Sequence, residues 1–442
     1  MNKLFFSVFC ALLLSSAGNA APAASSSSSG TSTVSAVAAS STVPLASDDP
    51  NGIAWNATVD GDTDAQPIRG SLGAQIMGPQ NVPLQQLNPD AVAPPTTDAG
   101  SVPNFKWPFS MSHNRMQTGG WARQQNVNAM PIAKTMAGVN MRLEAGAIRE
   151  LHWHSSAEWG YVIKGTTQIT SVDNNGRNYV ANVGPGDLWY FPPGIPHSLQ
   201  GTSSDGEGTE FLLVFPDGSF SEDDTFLLTD WLAHVPKEVV AKNFQTAISA
   251  WDNVPSKELY IFPSDSPTSD EAVSDPQGQV EVPFSYQFSA VAPTQYSGGT
   301  AKIADSTTFK IAQQVAVAEV TIEPGAMREL HWHPTQDEWG YYLEGTGRVT
   351  LFASSGNSYT LDFEAGDVSF APATFGHYIE NIGNTTLKVL EIFNTDVFQD
   401  VSLSQWLALT PPALVKAHLG LDDETISKLN KTKQVVVGRP SS

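Results

Sequence analysis

The strongest constraint on the fold is an internal duplication, in which the same motifs recur at an offset of 179 or 180 residues. The sequence Arg-Glu-Leu-His-Trp-His occupies residues 149–154 and again 328–333, and Glu-Trp-Gly-Tyr occupies 158–161 and 338–341. Gly-Asp at 186–187 likewise recurs at 366–367. Chance similarity does not keep its register over so long a span, so the chain carries two copies of one domain. A chain of 442 residues is long enough for both copies to bury a core.

Each copy consists of short β-like segments separated by turn signals. In the second copy, residues 315–322 precede the turn at 323–325, and residues 345–352 precede another turn at 354–357. Strands of this length and spacing predict an all-β sandwich or closed barrel. Helices are expected only at the joints, near residues 237–243 and 411–430, where they would pack between domains or subunits.

Composition and repeat limits together predict a modular chain. The expected modules are a signal peptide at 1–20, a Ser/Ala-rich disordered leader at 21–50, an extended N-terminal arm at 51–100, a first β domain at 101–250, a linker at 251–284, and a second β domain with C-terminal helices at 285–432.

The N-terminus predicts secretion. Lys3 gives a positive start, residues 4–14 form an apolar run too short to span a bilayer, and Gly-Asn-Ala at 18–20 is typical of a cleavage site. The single cysteine, Cys10, lies inside this segment, so the mature chain would have no disulfide. Glycosylation sequons begin at Asn56, Asn384 and Asn430.

The net charge of −22 restricts the partners. A strongly acidic surface repels nucleic acid and anionic lipid, and no later segment is apolar for long enough to cross a membrane. We therefore expect neither a nucleic-acid nor a membrane partner. An anionic substrate would need a local positive charge, from a metal ion or a particular arginine.

Six of the nine histidines fall into two matching clusters. The candidate metal ligands are His152, His154, Glu158 and His197 in the first copy, and His331, His333, Glu338 and His377 in the second. Side chains at positions i and i+2 of a strand leave on the same face, so each His-x-His places two imidazoles together. Three nitrogens and a carboxylate suit Mn, Fe, Ni, Zn or Cu, with open positions for substrate.

These residues resemble the motifs of the cupin family. The first copy reads Gly146-x5-His152-x-His154-x3-Glu158-x6-Gly165, then Gly186-x5-Pro192-x-Gly194-x2-His197. The second copy matches, except that Thr374 replaces the expected glycine and Gly201 of the first copy stands where the second has Asn381. The resemblance implies two tandem cupin barrels, each a double-stranded β-helix or jelly roll, with a few peripheral helices.

Over roughly residues 80–435 the chain is similar to bicupin oxalate decarboxylases of the secreted fungal kind. That likeness implies two Mn(II) ions per chain, dioxygen as a co-catalyst that is not consumed overall, and conversion of oxalate to formate and carbon dioxide. It also implies a homo-oligomer, either a trimer or a hexamer built from trimers.

The resemblance assigns Arg149, and Arg328 in the second copy, to holding the substrate's free carboxylate. Each lies three residues before the first ligand histidine. Odd spacing on a regular strand would point the arginine away from that histidine, whereas a bend after Gly146 or Gly325 could return it to the pocket. Strand alternation alone leaves this open, and a surface salt bridge is the simple alternative.

The copies differ in a loop that we call the lid, residues 221–225. From Phe215 to Trp231 the first copy has three residues more than the second has from Phe393 to Trp406. A polar loop above a metal pocket can open for substrate and close against water. The resemblance assigns the lid residue Glu222 as a proton shuttle, although three clustered acids are also typical of a solvated loop.

In the second copy, Glu391 replaces Leu213 of the first. A glutamate among apolar neighbours would have a raised pKa and could handle protons, or it could pair with Arg328. Both readings stay open. Two alternative functions also remain: oxalate oxidase, which gives carbon dioxide and hydrogen peroxide, and a non-enzymatic storage bicupin.

Overall fold

The computed structural model describes residues 52–202, 206–267 and 269–439. The predicted signal peptide and the whole of the predicted leader lie outside these residues. Strand pairing dominates the chain and forms two β-barrels, each made of a six-stranded and a seven-stranded sheet. The all-β prediction is confirmed.

The N-terminal arm is not extended throughout, which corrects the sequence-based expectation. It contains the hairpin Ile68–Arg69 with Leu72–Gly73, and the helices Ala57–Asp60, Val82–Gln86 and Pro89–Val92. The Asn81 side chain accepts a hydrogen bond from the Leu84 amide (3.3 Å), and proline lies in the first turn of the second and third helices. Capping and proline at this position favour short helical turns that hydrophobic periodicity does not reveal.

The arm docks on the second barrel through a buried charge network. One oxygen of Asp90 accepts a hydrogen bond from Arg69 (3.2 Å), and the other lies 3.0 Å from the Nη2 atom of Arg348 in the barrel, as an ion pair. Arg348 also pairs with Asp362 at 2.9 Å. Burial and the nearby Asp362 raise the pKa of Asp90 to about 9.

The first barrel is formed by antiparallel strands of the first copy. They are Arg115–Gln117, Gly120–Gln125, Ala137–Leu143, Ile148–Trp153, Glu158–Gly165, Thr167–Val172, Asn178–Val183, Leu188–Phe191, His197–Gly201, Thr209–Phe215 and Phe226–Leu227, with Ile261–Phe262 from the linker.

The second barrel repeats this order. Its strands are Thr294–Tyr296, Gly299–Ala304, Ala316–Ile322, Met327–Trp332, Glu338–Glu344, Thr346–Ala353, Asn357–Glu364, Asp367–Ala371, Gly376–Asn381, Leu387–Phe393 and Val401–Ser402, with Val436–Val437 near the C-terminus.

Each barrel is completed by a strand from the other copy. Lys106–Pro108, which precedes the first barrel, pairs with Asp367–Ala371 of the second. Ser285–Tyr286, which precedes the second barrel, pairs with Leu188–Phe191 of the first. The sequence-based boundaries at residues 101 and 285 do not anticipate this reciprocal exchange.

The barrels pack through the outer faces of their seven-stranded sheets. Along Thr209–Phe215, Leu213 lies in the core of the first barrel, while its neighbour Leu212 lies in the core shared with the second. At Gly138 a β-carbon would come within 2.2 Å of the Trp339 ring of the second barrel. Because both faces of this sheet are buried, its strands read as continuous apolar runs.

Helices lie outside the barrels. After the first barrel come Leu228–Ala233 and Lys237–Phe244, and after the second come Leu403–Leu409, Pro412–Leu419 and Asp423–Ser427. Short 3₁₀ turns are Phe109–Met111, Glu222–Asp224, Ile248–Trp251 and Phe288–Ala290. The helix expected at 237–243 is confirmed, whereas the segment at 411–430 is two helices, because Gly420 ends the first with φ of 67°. Among the described residues, no helix is long and apolar enough to span a membrane.

Candidate metal centres and their surroundings

The first predicted cluster converges inside the first barrel. The candidate ligand atoms of His152, His154, Glu158 and His197 lie within 4.8 Å of one another, and all four side chains are buried. His152 lies near the end of one strand and His154 directly after it, while Glu158 and His197 each begin another strand. Antiparallel pairing sets His152 directly opposite His197, so the sheet itself assembles the cluster.

Backbone carbonyls fix the protonation of the three imidazoles. The Nδ1 atom of His152 donates to the Glu150 carbonyl at 2.6 Å, that of His154 to Ser156 at 2.7 Å, and that of His197 to Ile195 at 2.8 Å. A carbonyl can only accept, so in each neutral ring Nδ1 carries the proton and Nε2 presents a lone pair. Burial, together with the charge of Arg149, lowers the pKa of His152 well below its usual value, which keeps this ring neutral.

The glutamate completes the cluster with negative charge. Its Oε2 atom lies 3.3 Å from Nε2 of both His154 and His197, and Oε1 accepts from the Trp189 indole at 2.9 Å. Burial raises the pKa of Glu158, but positive charge on the adjacent His197 and His154 outweighs it and holds the pKa well below its usual value. A bound cation would supply that charge where the rings are neutral. A buried carboxylate among nitrogen lone pairs suits a divalent cation.

The second cluster repeats this arrangement. Its ligand atoms also lie within 4.8 Å of one another. Oε2 of Glu338 lies 2.9 Å from His333 Nε2 and 3.1 Å from His377 Nε2. Within the described part of the chain, the buried Nε2 atom of His331 has no hydrogen-bond partner. An unpaired buried nitrogen is costly unless it coordinates a metal ion, so the residues present fit a metal.

A β-bulge places Arg149 on the same side of its strand as His152. On the neighbouring strand His152 faces His197 and Arg149 faces Leu199, so three steps on one strand match two on the other. The extra residue reverses the alternation of side chains. Arg149 is 1% exposed, and the surface salt bridge considered above is therefore wrong.

Arg149 joins the first metal centre to the lid. Its Nη2 atom donates to Glu222 (3.0 Å) and to the Thr225 hydroxyl (3.2 Å), and its guanidinium lies 4.3 Å from the centre of the Tyr260 ring. The Tyr260 hydroxyl also donates to Glu222, at 3.0 Å. Among the described groups, Nε and Nη1 of Arg149 have no partner, which leaves two charged donors for a guest.

A cavity of about 530 Å³ lies on the outer side of the lid. Its lining includes Glu222, Asp223 and Tyr260, together with Arg115 and Arg123. Glu222 therefore lies between this cavity and Arg149, in a position to separate the metal centre from solvent.

Arg328, the counterpart of Arg149 in the second copy, has two carboxylate partners. Arg328 pairs with Glu391 at 3.2 Å and with Asp400 at 2.8 Å, and Lys433 pairs with Asp400 in turn. Burial raises the pKa of Glu391 to about 7, although Arg328 acts in the opposite direction. Glu391 thus has a raised pKa and also pairs with Arg328, which are the two possibilities that the sequence left open.

The comparison with protein families decides the classification. The cupin family model matches residues 109–250 and 288–427, one match for each copy. The chain belongs to the cupin family.

Two curated relatives match this bicupin over most of their length. Oxalate decarboxylase OxdC of Bacillus subtilis is 52% identical over 379 residues, which are 85% of this chain and 98% of the relative. An oxalate decarboxylase of Arthroderma benhamiae is 39% identical over 407 residues, covering 85% and 95%.

Solved structures of the Bacillus subtilis oxalate decarboxylase also align with this bicupin. One has a TM-score of 0.82 and 52% identity, and covers 85% of this chain and 98% of its own. A second, from work that assigned the spectroscopic parameters of the Mn(II) centres in that enzyme, has a TM-score of 0.82 and 51% identity and covers 85% and 99%.

Several residues around the bicupin's two centres were missed from the sequence. Tyr260 and Thr225 contact Glu222 or Arg149, and Asp400 and Lys433 lie beside Arg328. A short apolar strand follows each barrel, and it begins directly after Tyr260 in the first copy and directly after Val435 in the second. That repeat was the available signal, but it is too short to stand out.

The motif departure at Thr374 leaves the turn unchanged. Thr374 has φ of 70°, close to the 76° of its counterpart Gly194. A threonine rarely adopts this left-handed conformation, so the surrounding bicupin barrel holds it there.

Proposed function

We propose that this protein is a manganese-dependent oxalate decarboxylase. The observation that carries the proposal is a buried His₃Glu cluster beside Arg149, in a chain that is 52% identical to a curated oxalate decarboxylase across 98% of that relative. In the same relative, Mn(II) centres have been studied, and the ligand chemistry of this chain suits that ion.

Arg149 is the group that binds the substrate. The chain has a net charge of −22, so a dianion must be attracted locally. The unpaired Nε and Nη1 groups of Arg149 are charged donors, and each can hydrogen-bond a carboxylate oxygen. The other carboxylate of oxalate would lie toward the histidines, where bound manganese supplies a redox-active Lewis acid with open positions.

Glu222 moves the proton that distinguishes the products. Cleavage of the carbon–carbon bond releases carbon dioxide and leaves a one-carbon fragment, which becomes formate only if a proton reaches its carbon. Glu222 is buried, with Oε2 3.0 Å from Arg149 and 3.0 Å from the Tyr260 hydroxyl. This side chain accepts the proton from oxalate and returns it to carbon, with Arg149 stabilising the anions on both sides of the step.

The overall balance needs no external oxidant. Hydrogen oxalate is converted to carbon dioxide and formate, and dioxygen assists without net consumption. In the alternative reaction, oxalate oxidase, oxalate, dioxygen and two protons give two carbon dioxides and hydrogen peroxide. The buried position of Glu222 above Arg149 favours the decarboxylase.

A product assay on purified protein tests the proposal. With oxalate, air and about two manganese ions per chain, as the two clusters imply, we expect formate and carbon dioxide with little peroxide. One hydrogen peroxide for every two carbon dioxides, without formate, would identify an oxidase. Purified protein that contains no metal and does not bind added manganese would contradict both the decarboxylase and the oxidase, and would favour a storage bicupin.

Secretion and glycosylation complete the proposal. The support is the signal-like start with Lys3 and the exposed positions of Asn384 and Asn430. Expression with the full N-terminus should place the protein in the medium, with the chain starting after Ala20. Retention of an intact N-terminus inside the cell would refute secretion, and an unchanged mass after glycosidase treatment would refute glycosylation.

The protein also forms homo-oligomers, trimers or hexamers. The support is a set of large apolar side chains on the outer helices, among them Trp231, Phe244, Trp406 and Leu409, which are 54–64% exposed. Exposed apolar surface of this kind is typical of contact sites. Light scattering of the purified protein tests this, and a monomer at micromolar concentration would exclude it.

A further inference from the structure

Arg115 connects the lid to a fixed part of the first barrel. It lies on the strand Arg115–Gln117, where its Nη1 atom donates to Asp223 of the lid at 2.9 Å. Its Nη2 atom pairs with Glu258 of the linker. The guanidinium also lies 3.6 Å from the centre of the Tyr260 ring. One side chain thus contacts the lid and the segment against which the lid closes.

The linker side of this contact is firmly held. Tyr260 is 1% exposed, and its amide donates to buried Glu150 at 2.8 Å. The next residue, Ile261, pairs with the strand that carries Arg149. When the lid opens, Asp223 can leave Arg115, whereas Glu258 and Tyr260 keep the arginine in place.

The same contacts reach the proton-carrying glutamate. Asp223 is the neighbour of Glu222 in the turn Glu222–Asp224, and Tyr260 donates directly to Glu222. Holding Asp223 and stacking on Tyr260 therefore favours the conformation in which Glu222 lies over Arg149.

These contacts belong to the first copy. At the position of Arg115, the second copy has Thr294, which begins the matching strand Thr294–Tyr296. At the position of Glu258 it has Lys433, which pairs with Asp400 directly. The arginine bridge thus accompanies the longer loop and Glu222.

We propose that Arg115 is a latch that holds the lid closed and thereby sets the ratio of formate to peroxide. The inference rests on the proposed decarboxylase activity. With the lid closed, the one-carbon fragment receives its proton from Glu222 and becomes formate. With the lid open, no proton reaches the carbon of the fragment, so the two electrons of the broken carbon–carbon bond pass to dioxygen. The fragment then leaves as a second carbon dioxide, and dioxygen with two protons becomes hydrogen peroxide.

The latch is a tuning device, because its ion pairs are partly exposed. The side chains of Arg115, Asp223 and Glu258 are 26%, 67% and 43% exposed. Exposed pairs are weak and are screened by salt. Small changes in lid population should therefore alter the product ratio without preventing turnover.

The test compares wild-type holoenzyme with the variants Arg115→Ala, Arg115→Lys and Asp223→Ser. We expect Arg115→Ala to raise the peroxide fraction about two- to fivefold, the range that an exposed ion pair supports. Asp223→Ser should do the same, and Arg115→Lys should fall between. The matched control is Arg177→Ala, because Arg177 forms an ion pair with Glu281 at 2.8 Å and is 31% exposed.

Salt and hydrogen exchange give two further readouts. Raising the ionic strength from about 50 mM to about 500 mM should increase the peroxide fraction of the wild type more than that of Arg115→Ala. The reason is that salt weakens the ion pair between Arg115 and Asp223, which the variant lacks. Amide exchange in residues 221–225 should also be faster in Arg115→Ala without oxalate present. This exchange measurement does not depend on the reaction.

The outcomes separate the latch from the proposed function. If the wild type yields formate but Arg115→Ala leaves both the product ratio and the lid exchange unchanged, the latch is wrong and the decarboxylase stands. A shift of equal size in Arg177→Ala would also overturn the latch. If the wild type yields no formate, the proposed function fails, and exchange alone then decides whether Arg115 holds the lid.

Discussion

Arg149 and Arg328 occupy equivalent positions in the two copies, and their neighbours give them different charge environments. Arg149 pairs with Glu222 of the lid, whereas Arg328 pairs with both Glu391 and Asp400. Arg328 thus has two carboxylate partners, one of which also pairs with Lys433, whereas Arg149 has one. The single difference between Leu213 and Glu391 accounts for much of this contrast.

Replacement of Glu222 tests the proton step. We expect Glu222→Ala to lower formate production about 100-fold or more, because general acid–base groups contribute on that order. Manganese content should stay unchanged, since Glu222 is not a metal ligand. Formate yield and metal content per chain are the two measurements.

Asp224→Ala is the matched control for this experiment. Asp224 lies in the same turn as Glu222 and is exposed, so its removal should leave formate production near the wild-type rate. If Glu222→Ala kept the wild-type rate, Glu222 would have no role in catalysis.

The sequence predicted the ligand sets but not all their surroundings. His-x-His spacing on a strand directly determines which side chains converge, so all eight predicted ligands lie in the two clusters. Tyr260 and Asp400 lie in segments whose path depends on long-range packing. No local spacing connects Tyr260 with Glu222, and for that reason their contact was not predicted.

The bulge between Arg149 and His152 gives neighbouring residues two separate tasks. Arg149 faces the metal centre, while Glu150 is buried toward the outer segments. Glu150 accepts from the amides of Thr229 (2.7 Å), Leu259 (3.0 Å) and Tyr260 (2.8 Å). One carboxylate thus fastens both a helix and the linker to the barrel. The alternation of side chains expected from the sequence assumes a regular strand, so it did not predict that Arg149 faces the metal centre while Glu150 faces the outer segments.

Replacement of Glu150 tests this fastening. We expect Glu150→Ala to destabilise the protein by about 3 kcal/mol, since several buried donors lose a charged acceptor. Denaturant unfolding measures the loss of free energy. Leu151→Ala is the control, because Leu151 is 49% exposed and its truncation should cost little. Equal stability of the two variants would contradict the role of Glu150.

The two barrels behave as one unit because they share strands and a core. Lys106–Pro108 and Ser285–Tyr286 cross reciprocally between them, and Trp339 packs on Gly138 across the interface. The duplication predicted two domains correctly. It did not predict the exchange, because an internal repeat shows similarity between copies and not which copy each edge strand joins.

Calorimetry of the holoenzyme tests this coupling. We expect a single unfolding transition in which the calorimetric and van't Hoff enthalpies agree, since neither barrel keeps a complete sheet without the other. The comparison should be made at a scan rate where unfolding is reversible. Two resolved transitions, each with half of the total enthalpy, would show that the barrels unfold independently.

The crossing strands also bear on how the chain is made. Lys106 bonds to the carbonyl of Asp362, a residue 256 positions later, and the first barrel lacks its Ser285–Tyr286 edge until the second copy begins. During synthesis from the N-terminus, the newly made first half therefore exposes an unpaired edge beside Leu188–Phe191. If synthesis stops before residue 285, the released fragment would be prone to self-association through this edge.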